Sequence, residues 1–168
     1  MAGAQTVEHQ SDYSMTDDAE NQFLTFILSG EEYGVDILRV QEIRGWESVT
    51  TIPNAPEYIK GVINIRGSIV PIVDLRMRFN MDNVEYGPMT VVIVLKVMGE
   101  NGERVMGIVV DAVSDTYDIP EENLKPAPDF GDKIDIAFIN GMATVNDNML
   151  ILLDIDKLLN TNELENLE

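Results

Sequence analysis

Residues 59–75 read IKGVINIRGSIVPIVDL, and residues 139–155 read INGMATVNDNMLILLDI. The two stretches align without a gap, 80 positions apart, with Ile, Gly and Asp recurring at 59 and 139, 61 and 141, and 74 and 154. A second match joins Tyr33-Gly34-Val35 to Met106-Gly107-Ile108, 73 positions later. Spacings this long indicate two similar subdomains rather than a solenoid, whose repeats span about 20 to 50 residues. Two β-hairpins can share alternating apolar residues by chance, but two matches in the same order favour duplication.

Short apolar runs rich in Val and Ile, each ended by Gly, Pro, Asn or Asp, make up the chain from residue 22 onward. They predict strands at 22–28, 31–35, 49–52, 60–66, 68–74, 89–97, 103–113, 115–119, 136–144 and 148–154. Tight hairpin turns are expected at residues 29–30, 99–102 and 146–148, where Gly and Asn accept positive φ angles. Each half would be a barrel of about five strands. A unit this small buries little core alone, so the halves should share one.

Two helices and one proline complete the predicted elements. The first helix begins at Asp36, an acceptable N-cap, and runs to Arg44 with Val40 and Ile43 on one face. The second runs from 156 to 159, and residues 161–168 form a C-terminal tail that could continue as a short helix. Pro71 cannot donate to a β-ladder, so it should lie on a sheet edge or at a bulge.

Composition excludes several classes of function. The 168 residues include 11 Lys and Arg against 30 Asp and Glu, a formal charge of −19, with no Cys and one histidine, His9. Disulfides, Cys-type zinc sites and thiol nucleophiles are therefore excluded. The negative charge would repel phosphate backbones and anionic lipids, so neither nucleic acid binding nor membrane insertion is expected. Residues 1–21 carry five acids and no Lys or Arg, and are interpreted as a disordered acidic tail.

No catalytic, metal or cofactor motif is recognisable. Nucleotide-binding, metalloprotease and hydrolase signatures are absent, and His9 falls in the tail. Carboxylates do occur close together, at 111 and 115 and at 154 and 156, but in so acidic a chain a solvated surface is the expected explanation. The sequence therefore predicts a protein that is not an enzyme, with no catalytic residue, metal or cofactor.

Positive charge is concentrated in one stretch. Six of the eleven basic residues lie between residues 39 and 78, a candidate docking face in an otherwise acidic protein. Arg66 precedes Gly67 at a predicted hairpin tip, and an exposed guanidinium beside apolar residues is typical of interface hot spots. An ordinary surface ion pair is the alternative. Residues 125–130 (KPAPDF) form a second candidate, because two prolines stiffen the segment that carries Phe130; a plain connector is its alternative.

Several runs resemble the family of bacterial chemotaxis coupling proteins, CheW. They are EYGVDILRVQEIRG at 32–45, IKGVINIRG at 59–67, IVPIVDL at 69–75, VMGIVVDAV at 105–113 and KPAP at 125–128. The resemblance covers residues 22–160. It implies a mainly β fold of two SH3-like five-stranded β-barrel subdomains packed on a shared hydrophobic core, with short helices.

The resemblance also implies a function without a reaction. Proteins of this family are cytoplasmic adaptors at receptor arrays of the inner membrane, where they join chemoreceptor tips to the regulatory domain of the histidine kinase CheA and to other adaptor copies in rings. The receptor-facing residues would be Val40, Glu42, Ile43, Gly61, Asn64, Ile65 and Arg66. The kinase or ring contact would involve Lys125 and Phe130, although relatives often carry Arg where Lys125 stands. A small-ligand-binding barrel and a scaffold in another two-component pathway remain the alternatives.

Overall fold

The computed structural model describes residues 21–82, 84–128 and 135–160, and most of them lie in short strands. The chain also has two helices of about one turn, and 3-10 turns lie at Ile37–Arg39, Glu121–Asn123 and Ile136–Phe138. The strands are β1 (Gln22–Leu28), β2 (Glu31–Asp36), β3 (Val40–Gly45), β4 (Ile59–Ile65), β5 (Ser68–Asp74), β6 (Val91–Gly99), β7 (Gly102–Val110), β8 (Ala112–Asp118), β9 (Ile139–Val145) and β10 (Asn148–Leu153). The helices are α1 (Leu75–Arg78) and α2 (Ile155–Leu159).

The strands form two five-stranded sheets of intertwined connectivity. One has the order β3-β6-β7-β5-β4 and is called the first barrel; the other has the order β8-β1-β2-β10-β9 and is called the second barrel. The chain therefore starts in the second barrel, crosses to the first between β2 and β3, and returns between β7 and β8. Single bridges from Thr50 to β4 and from Lys125 to β9 extend the two sheets in the same way.

The two halves use their repeated residues equivalently. Residues 59–75 form β4, β5 and the start of α1, whereas 139–155 form β9, β10 and the start of α2. In the parallel pairings, Ile72 lies opposite Gly107 in the first barrel and Leu152 lies opposite Gly34 in the second. A Cβ at Gly107 would lie 2.7 Å from the Ile72 side chain, and one at Gly34 would lie 2.8 Å from that of Leu152. An alanine at either position would therefore force the facing side chain to shift.

The largest core cluster lies between the barrels and confirms the predicted shared core. It combines side chains of β1 and β2, such as Phe26 and Tyr33, with side chains of β6 and β7, such as Ile93 and Ile108. Two smaller apolar clusters fill the barrels themselves, one around Ile72 in the first barrel and the other in the second. Burial of apolar area of this kind is the main stabilising contribution to a domain of this size.

The predicted helix from Asp36 to Arg44 is wrong. Asp36 does act as an N-cap, since its carboxylate accepts a hydrogen bond from the Leu38 amide at 2.9 Å, but the turn ends at Arg39 and β3 follows. The pairing of β3 with β6 shifts by one residue between Val40 and Glu42, which is a β-bulge. A bulge adds one residue to the strand period, so Val40 and Ile43 share a face at a spacing of three. That spacing imitates a helix in the sequence.

Other elements differ in smaller ways. The strand predicted at 49–52 is reduced to the single bridge at Thr50, and residues 136–138 form a 3-10 turn ahead of β9. Pro71 is not on an edge strand, because β5 lies between β4 and β7; pairing with β7 begins only at Ile72, so Pro71 lies just outside it. The three predicted hairpin turns are confirmed, with positive φ at residues 29–30, 102 and 146–147. The tail at 1–20 and residues 161–168 lie outside the described residues.

Candidate interaction surfaces

The β4–β5 turn presents Arg66 at the edge of the first barrel. Arg66 and Gly67 have φ angles of 51° and 89°, the two consecutive positive values of a type I′ hairpin turn. The Asn64 side chain closes the turn, because its Oδ1 accepts a hydrogen bond from the Gly67 amide at 2.9 Å. As a result the Arg66 side chain lies at the tip and is 75% exposed, as the sequence predicts.

An ion pair joins this turn to β3. Arg66 donates to Glu42 Oε1 at 2.6 Å, and Arg44 contacts the other oxygen of the same carboxylate at 3.4 Å. The Glu42 side chain is 22% exposed and the hydrogen bond from Arg66 lowers its pKa below the ordinary value, so it is ionised at neutral pH. The pair therefore links the turn to β3.

A cleft of about 220 Å³ opens beside the pair and is called the first cleft. Its walls carry aliphatic side chains of four strands below a polar rim. The lining residues are Gln41, Ile65, Arg66, Ser68, Val70, Val94 and Val105. An apolar floor with a few oriented polar groups at the rim is suited to receiving an apolar side chain from a protein partner.

The receptor-facing residues expected from the resemblance do not form one flat patch. Ile65 and Arg66 line the first cleft and Glu42 lies beside it. Val40 and Ile43 lie on the opposite face of β3, because they pair with Leu95 and Ile93 of the shared core rather than with Val94. Val40 packs against that core, whereas Ile43 is 44% exposed along the edge of the sheet.

Gly61 has a different place from the other six residues. It is buried with a φ of +145°, and a Cβ there would overlap the Thr50 carbonyl oxygen. The pairing of β4 with β5 shifts between Ile59 and Gly61, and Thr50 pairs with Val62 at this bulge. Gly61 therefore allows the segment after β3 to approach β4, and its backbone geometry explains why glycine is needed.

A second cleft lies on the second barrel, at the segment that begins with Lys125. The Lys125 amide and carbonyl both bond to Met142, at 2.9 and 2.8 Å, which aligns the segment with β9. The cleft has a volume of about 210 Å³ and is called the second cleft. It is lined by Lys125, Pro126, Pro128, Met142, Ala143, Thr144 and Met149. Lys125 is exposed, and Phe130 lies outside the described residues.

The basic stretch between residues 39 and 78 is not a continuous docking face. Arg66 is the one exposed member of the six basic residues. Arg39 forms an ion pair with Asp156. Lys60 lies over the ring of Tyr86, and Arg78 lies over the ring of Tyr58. Most of this positive charge therefore stabilises the fold. The signal in the sequence was a local charge count, which does not distinguish a paired guanidinium from a free one.

A buried polar network at the end of β5 was not predicted from the sequence. Arg76 is 1% exposed and donates to both oxygens of Asp74, to Asp111 at 2.7 Å and to the Glu85 carbonyl. The Tyr86 hydroxyl also donates to Asp74. The expectation of solvated carboxylates is thus wrong for Asp111, and also for Asp156, which pairs with Arg39. No spacing in the sequence identifies these partners, which are up to 117 residues apart.

Neither a metal site nor a membrane-spanning helix occurs among the described residues. Within residues 21–82, 84–128 and 135–160, no group of three or more His, Cys, Asp or Glu side chains is placed to hold a metal ion. Over the same part of the chain, no helix is long and apolar enough to cross a membrane.

Comparison with known proteins places this arrangement in a family. The CheW-like domain matches residues 22–163. The chain is similar to the chemotaxis protein CheW of Klebsiella aerogenes, with 50% identity over 143 residues that cover 85% of this chain and 84% of that protein. It is 35% identical to the CheW protein of Rhizobium meliloti over 144 residues, which cover 86% and 90% of the two chains.

A solved structure agrees with the sequence comparisons. The crystal structure of the scaffolding protein TtCheW from Thermoanaerobacter tengcongensis is similar with a TM-score of 0.76 and 34% identity, and the match covers 86% of this chain and 90% of that one. The two sheets and the shared core correspond to the two SH3-like subdomains expected for the family. The chain therefore belongs to the CheW-like domain family and is a non-enzymatic adaptor of bacterial chemotaxis.

Proposed function

We propose that this adaptor links the cytoplasmic tips of chemoreceptors to the histidine kinase CheA, with the receptor on the first barrel and the kinase regulatory domain on the second. The observation that carries the proposal is the first cleft, with an apolar floor at Ile65 and the Glu42–Arg66 pair at its rim. The protein would act in the cytoplasm, recruited to receptor arrays at the inner membrane.

On the receptor side, an apolar residue of a receptor helix enters the first cleft and contacts Ile65. Arg66 then donates to a carboxylate or amide oxygen of the same helix, because its exposed guanidinium keeps donors free beyond the one that bonds Glu42. Ile43 extends this surface around the edge of β3, and Asn64 contributes by fixing the turn. Val40 and Gly61 support the surface from behind it.

On the kinase side, the segment at Lys125 and the second cleft receive the regulatory domain. Two prolines and the bonds to Met142 hold the segment in place, so little conformational entropy is lost on docking. Met149 is 53% exposed at the cleft and supplies an adaptable apolar contact. Lys125 supplies a point charge, whereas an arginine at this position would offer bidentate geometry. Phe130 would add an aromatic anchor, and the same surface would serve contacts between adaptor copies in rings.

The test is a bridging experiment. Receptor cytoplasmic fragments assembled on vesicles are mixed with purified kinase, with and without this protein, and sedimented. The proposal predicts that kinase sediments strongly only when the adaptor is present, and that the adaptor sediments with receptor fragments alone. Kinase recovery that does not depend on the adaptor, or an adaptor that stays in the supernatant with either partner, would contradict the proposal.

A further inference from the structure

The chain crosses between the barrels at two places, and a charged residue of each crossing contacts both barrels. The first crossing runs from β2 to β3 and carries Arg39; the second runs from β7 to β8 and carries Asp111. Both side chains form ion pairs with a helix that follows the repeated hairpin of one barrel. The two pairs are called the Arg39 clamp and the Asp111 clamp.

The Arg39 clamp joins the first crossing to α2 of the second barrel. Arg39 makes two bonds to Asp156, at 2.8 and 2.7 Å, and a third to the Lys96 carbonyl of β6 at 3.1 Å. Asp156 Oδ1 also accepts the Met98 amide of β6 at 2.8 Å. One bidentate pair therefore ties the second barrel's helix to a strand of the first barrel.

The Asp111 clamp is its counterpart in the second crossing. Asp111 Oδ1 accepts from Arg76 of α1 at 2.7 Å, and Oδ2 accepts the Ser29 amide of the β1–β2 turn at 2.8 Å. The carboxylate therefore bridges the first barrel's helix and the second barrel's first hairpin. Arg76 and Asp156 lie 80 positions apart, so the same repeat position carries opposite charge in the two halves. Each of the two residues forms an ion pair with the charged residue of one crossing.

We infer that the two clamps set the angle between the barrels, and that Arg39, Asp156, Arg76 and Asp111 are positioning residues for the adaptor. The shared apolar core holds the barrels together, but apolar contact has no preferred direction, whereas a bidentate arginine–carboxylate pair does. Because the receptor and kinase surfaces proposed above lie on different barrels, this angle sets their relative orientation. The effect on receptor and kinase rests on the proposed function, whereas the effect of the clamps on the angle between the barrels does not.

The Arg39 clamp is the one suited to mutation. Its side chains are 29% and 30% exposed, whereas Arg76 is buried, and Arg104 separately bonds the Leu159 carbonyl at 2.6 Å. The Arg39→Gln variant therefore keeps α2 attached to β7 and should fold. Arg44→Gln is a matched control, since Arg44 is 31% exposed and its partners Glu42 and Glu47 lie in or next to its own strand. Arg39→Lys keeps the charge but loses the second bond.

The distance between the barrels can be measured directly because the chain contains no cysteine. Spin labels at Ser68→Cys and Asn148→Cys occupy exposed, equivalent positions of the two repeats, and double electron–electron resonance gives their distance distribution. We expect Arg39→Gln to broaden or shift the distribution, Arg39→Lys to do so less, and Arg44→Gln to leave it unchanged. An unchanged distribution in folded Arg39→Gln would overturn the inference.

The consequence is tested on unlabelled protein by measuring both binary affinities and the three-component assembly. We expect Arg39→Gln to bind receptor fragments and kinase separately as wild type does, while kinase recovered with receptor fragments falls by about fivefold, the lower end of coupling between sites. Full recovery of kinase would overturn the positioning role. If the wild-type protein bound neither partner, the proposed function would fail, whereas the distance measurement would still decide whether the clamps set the angle.

Discussion

Arg66 at the tip of the β4–β5 turn donates to Glu42 on β3 at 2.6 Å, across 24 residues of chain. The pair holds an exposed guanidinium in a defined position before any partner binds. A side chain that is already oriented loses less conformational entropy on binding than a free one. Arg66 also lines the first cleft, so the charged rim lies beside the apolar floor at Ile65.

Substitution of Gly61 by alanine should destabilise the fold more than the same change at its repeat equivalent, Gly141. Gly61 has a φ of +145° and no room for a Cβ beside the Thr50 carbonyl, whereas a Cβ at Gly141 would lie 3.2 Å from the Lys125 carbonyl oxygen, a tight contact that a shift of a few tenths of an ångström relieves. We expect Gly61→Ala to lower the free energy of unfolding by about 2 kcal/mol or more and Gly141→Ala to stay within about 1 kcal/mol of wild type. Urea unfolding followed by circular dichroism measures both, and equal effects would contradict this role of Gly61.

Removal of the buried Arg76 charge should lower the free energy of unfolding more than removal of a partly exposed arginine such as Arg44. In Arg76→Leu the Asp74 carboxylate, fully buried, loses its cationic partner. We expect a loss of about 3 to 5 kcal/mol in the free energy of unfolding. Arg44→Leu, which breaks only partly exposed pairs, should cost less than about 1 kcal/mol. The double variant Asp74→Asn/Arg76→Leu should recover part of the loss, and a double variant less stable than Arg76→Leu alone would refute the explanation.

The contribution of the Arg39 clamp to stability should disappear in acid. Burial raises the pKa of Asp156, but hydrogen bonds from Arg39 and the Met98 amide lower it by a larger amount. The pKa of Asp156 therefore lies below the ordinary value of 3.8. A carboxyl with a depressed folded-state pKa stabilises the protein above its unfolded pKa, and the effect is lost as pH falls through the folded value. The stability difference between wild type and Arg39→Gln should therefore be constant from about pH 7 to about pH 5 and shrink below 3.8. A difference that persists unchanged in acid would show that Arg39 stabilises the fold by other contacts.

The repeat was predictable because it consists of patterns among residues that are close together in the sequence. Alternating apolar residues, turn glycines and the Asp that precedes each helix recur at a constant offset, and each has a direct structural meaning. The assignment of β3 failed for a local reason too: the bulge at Gln41 places Val40 and Ile43 on one face at helical spacing. The N-cap predicted at Asp36 contributed to the error, because Asp36 does cap a helix but that helix is only the single 3-10 turn Ile37–Arg39.

The candidate site was predictable only in part. The position of Arg66 followed from the Arg-Gly turn, and the role of the surface came from the family resemblance. The partner of Arg66 did not follow, because nothing in the sequence identifies Glu42 among 30 acidic residues. The same holds for the pairs Arg76 with Asp111 and Arg39 with Asp156, which depend on contacts between distant segments.

A pair of matched charge reversals, one on each proposed surface, tests whether receptor and kinase bind to different barrels. Arg66→Glu and Lys125→Glu make the same change at exposed residues of the first and second barrels. Binding to receptor fragments and to kinase is measured for each variant by titration, with circular dichroism confirming the fold. We expect Arg66→Glu to weaken receptor binding by at least about tenfold and to leave kinase binding intact, and Lys125→Glu to do the reverse. A tenfold loss of affinity corresponds to about 1.4 kcal/mol, the scale expected for one charged interface contact. Equal loss of both partners in both variants, or unchanged receptor binding in folded Arg66→Glu, would contradict the assignment of the two partners to different barrels.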